Sequence, residues 1–201
     1  MKGFGVSKGF TIVELLVSIF IFSLVIVGAG GLLVSSMGVQ RRSGTQQEII
    51  DQASYLAEYM SRALRQARKD TAGVCLTTAG AGFNYELNIN PVGDRIRFLN
   101  RNNLGVLVCK QFSLSGAQIF EQTSTDAAAN LPPLTPQLAL TSNNLQVTKL
   151  RFYISGASQG DNLQPKATFA MELKGRAQQG GSQPAVNIQT TVSQRKIDVP
   201  E

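Results

Sequence analysis

Three places in the sequence carry residue types and spacings capable of chemistry. They are the Gly9–Phe10 junction with Glu14 four residues beyond it, the pair Cys75 and Cys109, and the basic set Arg95, Arg97, Arg101 and Lys110. The sequence holds no His and no Trp, which excludes a histidine general base and any histidine-ligated metal site. Serines and carboxylates are plentiful but form no catalytic constellation, and no metal-ligand cluster is present. The residues therefore argue against an enzyme and call for no cofactor. Gly9–Phe10 joins a short, basic, glycine-rich nonapeptide to an apolar run, so cutting there would leave the hydrophobic segment on the product. A secretory signal peptide behaves in the opposite way, with its cleavage site after the apolar region.

Glu14 is a lone carboxylate at the head of that run, and no charged residue follows until Arg41. Residues 15–39 are almost wholly apolar or small. As a helix, about 25 residues rising 1.5 Å each span roughly 37 Å, enough for a bilayer core of about 30 Å. A carboxylate in such a helix costs about 2.5–3.5 kcal/mol at the bilayer centre and less near the interface. Two readings compensate that cost: an opposite charge supplied by a neighbouring chain, or the positive end of the helix dipole. Within the run, Gly28, Gly30 and Gly31 each weaken a helix by about 1 kcal/mol relative to alanine. They suit either close packing against another helix or a stem that bends or melts locally.

The decapeptide Lys8-Gly-Phe-Thr-Ile-Val-Glu-Leu-Leu-Val17 resembles the prepilin peptidase recognition sequence of type IV pilins and type II secretion pseudopilins. The resemblance covers about thirty residues including the helix that follows; beyond residue 40 it is one of organisation. It implies cleavage after Gly9 on the cytoplasmic face and N-methylation of Phe10. It also implies an assembly role for Glu14, paired with the cleaved amine of a neighbour's Phe10. The implied partners are other pilin or pseudopilin subunits, the prepilin peptidase/methyltransferase, the membrane and an inner-membrane assembly platform. The implied location is the inner membrane, single-pass with the head exported, and then an extracytoplasmic filament. Lys2 and Lys8 favour a cytoplasmic N-terminus, but Arg41 and Arg42 flank the other end, so the positive-inside rule is nearly balanced and the cleavage motif decides. Many pilins carry a proline in this stretch; this chain has none. That absence, with a many-stranded head, points to a minor pilin or pseudopilin.

Four regions follow: a leader at 1–9, a transmembrane or filament-core helix at 10–39, an amphipathic helix at 40–72 and a β-sheet head at 73–201. In the second helix Ile49, Ala53, Leu56, Ala57, Met60, Leu64 and Ala67 recur at steps of three and four, opposite Glu48, Asp51, Glu58, Arg62, Arg65 and Arg68. Gly73 is its expected stop, and the two helices are either continuous from about residue 10 to 70 or broken near Gly44. Alternating runs at 83–89, 95–99, 106–112, 147–154, 167–173 and 186–192 read as strands, with 197–199 as an extension. Residues 90–93 read as a turn, and 124–135, 156–165 and 178–183 as loops. The fold class is α+β, a long N-terminal helix packed on one antiparallel sheet.

Both cysteines follow the apolar segment, so export makes a disulfide the default, with two buried thiols as the alternative. Closing a loop of about 35 residues contributes roughly 3.5–4 kcal/mol in the chain-entropy account. The formal charge of +6 falls to +4 without Lys2 and Lys8, a balance that does not by itself indicate nucleic acid. A second functional class is an anchored surface binding module, such as a DNA-uptake or adhesion pilin. Arg95, Arg97, Arg101 and Lys110 would form its basic patch if their strands were adjacent, although no aromatic residues interleave with them.

Overall fold

The computed structural model describes residues 9–73, 75–76, 82–89, 92–124, 137–157, 163–175 and 183–195. By its internal contacts the chain falls into two units, residues 1–44 and 45–201. One helix, α1 (Ile12–Arg65), contributes to both and continues through Gly44. From Ile12 to Gln40 it is exposed on every side; in the second unit, Ile49, Ala53, Leu56, Met60, Ala63 and Leu64 form a buried stripe. The expected period is therefore the observed one.

Among the described residues nine strands follow: β1 (Tyr85–Leu87), β2 (Val92–Gly93), β3 (Arg95–Arg101), β4 (Leu107–Ser115), β5 (Gln118–Ser124), β6 (Gln137–Ala139), β7 (Leu145–Ser155), β8 (Lys166–Gly175) and β9 (Ala185–Ser193). They form two antiparallel sheets, β1-β3-β4-β5-β6 and β2-β7-β8-β9, where the sequence pattern suggested one. A single helical stripe is too narrow to cover nine strands. The chain instead buries Phe98 and Phe112 of the first sheet, Phe152, Phe169 and Met171 of the second, and Leu56, Met60 and Leu64 of α1 in a common core. The architecture remains α+β with a long N-terminal helix.

Where the strand pattern is clean, the structure follows it. Ala167, Phe169, Met171 and Leu173 are buried along β8 while Ala170, Glu172 and Lys174 are half-buried opposite them. The pattern missed β5 because its inward positions are Ile119 and Glu121, and a carboxylate breaks the apolar alternation. Glu121 is tolerated because Lys110 Nζ lies 2.6 Å from it and the Tyr59 hydroxyl donates to it. Burial, and then the Glu121 carboxylate, push the Tyr59 phenol well above its ordinary range. The β4–β5 turn was missed too; its signal is Ser115-Gly116, with Gly116 at φ 59°. Residues 92 and 93, expected as turn, pair with Phe152 and Tyr153 of β7. A bulge between Val147 and Lys149 keeps both Val147 and Leu150 facing the core.

The helix stops at Arg65, eight residues short of Gly73. The reason lies in where its last carbonyls go. Those of Ala63 and Leu64 accept the N–H groups of Gln66 and Ala67 at 3.2 and 3.1 Å. Leu64 also accepts the Tyr85 hydroxyl at 2.8 Å and Ala63 the Asn100 side-chain amide at 3.4 Å. Arg65 accepts the Arg195 N–H at 2.9 Å. Long-range partners thus satisfy the groups a helix end leaves open, and the Arg68 N–H turns to Leu99 O at 2.8 Å. Local sequence carries no sign of such partners, so the basic residues before Gly73 misplaced the stop.

Cys75 and Cys109 are joined by a disulfide, their Cα atoms 5.2 Å apart. With Leu76 and Leu99 they form a second small buried cluster. Asp70, itself buried, holds the segment in place: its Oδ2 accepts the N–H groups of Cys75 at 2.7 Å and Leu76 at 2.8 Å. Sequence reasoning missed Asp70, whose signal was a carboxylate five residues ahead of a cysteine. Residues 1–8 of the leader expected at 1–9, most of the loops expected at 124–135, 156–165 and 178–183, and the strand extension at 197–199 lie outside the described residues.

Candidate functional site

Helix α1 begins at Ile12 because Thr11 caps it. The Thr11 hydroxyl accepts the Glu14 N–H at 3.3 Å, and the Thr11 carbonyl accepts the Leu15 N–H at 3.2 Å. Thr11-Ile-Val-Glu14 has the Thr-x-x-Glu spacing of a capping box, a signal the motif reading passed over. The cap fixes Glu14 in the first helical turn, where its carboxylate is favourable to the dipole. Glu14 is exposed, and so is Phe10, at 72%.

From Ile12 to Gln40 the helix runs 29 residues, its most apolar stretch of 18 has a mean hydropathy of 2.7, and none of that stretch is buried inside the chain. It is long and apolar enough to cross a membrane. Two of its serines are turned back on the backbone: Ser18 Oγ donates to the Glu14 carbonyl and Ser23 Oγ to the Ile19 carbonyl, both at 2.8 Å. That removes the need for water at those positions, as an apolar surrounding demands. Phe10, Ile12, Val13, Leu15, Leu16, Ile19, Phe20 and Leu24 are among the exposed large apolar side chains. So much exposed apolar surface is stable only against lipid or other chains.

Gly28, Gly30 and Gly31 lie within this unbroken helix, and a Cβ at any of them would meet nothing of this chain within 4 Å. No contact inside the chain requires glycine there. Gly9, Phe10, Glu14 and the three glycines are thus placed along one exposed apolar segment, while the Cys75–Cys109 bond lies in the second unit.

Arg95, Arg97 and Arg101 share one face of β3, but Lys110 does not join them. β3 and β4 are neighbours, but Lys110 pairs with Phe98 in register, on the face opposite Arg97, and its ammonium is bound to Glu121. Arg97 donates twice to Gln111 Oε1, at 2.9 and 3.2 Å, and burial lowers its pKa. Among the described residues no group of three or more His, Cys, Asp or Glu is placed to hold a metal.

Residues 6–30 match the family described as the prokaryotic N-terminal methylation motif. The comparisons with curated proteins and with solved structures returned no significant match.

Proposed function

We propose, taking the matched motif as the signature of type IV pilins and pseudopilins, that this chain is a non-enzymatic filament subunit, a minor pilin or pseudopilin. It is made as a membrane-anchored precursor with the head on the exported side. The prepilin peptidase cuts after Gly9 and methylates the new amine of Phe10. The subunit then passes from the bilayer into a pilus or a type II secretion-like filament through α1. The observation that carries this reading is the continuity of the motif at 6–30 with an apolar helix of which nothing is buried within its own chain. Lipid satisfies that surface before assembly and neighbouring stems after it.

Within the filament core the Phe10 amine of one subunit meets Glu14 of the next, where removal from water makes opposite charges matter most. Mass spectrometry of membrane-extracted protein tests the processing step. The expected product starts at N-methylated Phe10. An intact Met1, or an N-terminus beyond residue 30, would overturn the assignment.

A further inference from the structure

Beyond the stem, the second unit carries a pattern of charge that its own fold leaves uncompensated. On a helix of 3.6 residues per turn, positions 48, 51, 58, 62 and 65 fall within an arc of about 100°. All five are exposed, and they read Glu48, Asp51, Glu58, Arg62, Arg65, acidic toward one end and basic toward the other. Glu58 and Arg62 pair with each other at 2.6 Å, while Glu48, Asp51 and Arg65 make no ion pair among the described residues. The basic end is enlarged by other elements. Two adjoining open grooves of about 850 and 480 Å³ share Arg65, Gln66 and Arg195, and are lined further by Arg62, Arg68 and Arg101. Of these arginines only Arg62 has a carboxylate partner among the described residues.

The helix dipole accounts for part of this. Arg62 and Arg65 lie in the last turn of α1, where cations are favoured. It does not account for Arg68, Arg101 and Arg195, which lie outside the helix, nor for Glu48 and Asp51, which lie far from its start at Ile12. What remains is an acidic strip and a basic groove on one surface, separated along the helix by 14 residues, or about 21 Å.

We infer that the groove formed around Arg65, Arg101 and Arg195 receives the Glu48/Asp51 strip of a second copy of this chain, displaced along the helix axis. Two copies side by side in parallel and in register would set Glu48 and Asp51 against themselves and arginine against arginine, a repulsive arrangement. An offset on the order of 20 Å replaces both repulsions with attraction. Because the two patches are different surfaces, the contact is head-to-tail and leaves one patch open at each end, the requirement for an open filament. This inference rests on the filament reading and adds to it the register between heads.

The test is cross-linking of full-length protein in assembled filaments. Two differently tagged chains, Asp51→Cys and Arg65→Cys, are co-expressed and treated with a short bis-maleimide; the native cysteines are occupied by their own disulfide. The expected result is a mixed-tag dimer in excess of the Asp51→Cys self-linked dimer, on the order of tenfold. A charge-reversed copy, Glu48→Arg with Asp51→Arg, should lose incorporation and regain it beside copies carrying Arg62→Glu and Arg65→Glu. Incorporated protein that links Asp51→Cys to itself, to a different protein or to nothing overturns the register while leaving the filament reading in place. Wild-type chain that is neither processed nor incorporated in the same preparations removes both.

Discussion

Glu14 and Thr11 show how one turn of helix can serve two purposes. The Thr11 hydroxyl takes the Glu14 N–H, so the carboxylate begins the helix in a fixed place and needs no partner from its own chain. An isolated membrane helix would be no worse without that charge. Glu14→Ala is therefore expected to leave cleavage after Gly9 and membrane insertion intact. It should lower filament incorporation by more than a hundredfold, because stranding the Phe10 amine in an apolar bundle costs about 3–5 kcal/mol. Comparing processed, inserted and incorporated fractions with wild type checks this; normal incorporation would reduce Glu14 to a helix cap. At this scale the motif was legible in the sequence because its signal is local. Glu121 and Asp70 were not, since each depends on partners such as Tyr59, Lys110, Cys75 and Leu76 that only the fold brings near.

Among the elements, α1 is the one whose apolar span has no contacts of its own to explain its sequence. Gly28, Gly30 and Gly31 crowd nothing, so replacing all three with alanine should stiffen the helix by up to about 3 kcal/mol without disturbing the head. If local melting helps the stem leave the bilayer, the triple variant will be processed and inserted normally yet enter filaments less efficiently. Unchanged incorporation, read by the same fractionation, would assign the glycines to close packing or to no role. Strands were readable in proportion to the purity of their alternation. β8 repeats apolar residues at every second position and was found; β7 carries a bulge and was found without it. β5, with one apolar and one charged inward side chain, was missed. The end of α1 was misplaced because Tyr85, Asn100 and Arg195 reach it from distant parts of the chain.

For the molecule as a whole, the α+β class and the apolar N-terminal helix followed from periodicity, whereas the division into two sheets did not. Pairing partners are set by long-range packing that no window of sequence contains. The disulfide was legible from the position of both cysteines beyond the apolar segment, and its weight can be measured. Cys75→Ser with Cys109→Ser should lower head stability by roughly 2–4 kcal/mol in thermal or denaturant unfolding, with filament incorporation retained at low temperature. A variant as stable as wild type would show that Asp70 and the Leu76–Leu99 cluster hold the segment unaided. The same bond has a mechanical meaning. On the proposed filament reading the chain bears tension, and tension unravels chain. With Cys75 and Cys109 separated by 34 positions, about 110–120 Å of contour length lies behind the bridge. However far the rest of the head is pulled open, β1, β2, β3 and the start of β4 remain within a closed loop, so the head yields by a bounded length and refolds from a piece that was never drawn out.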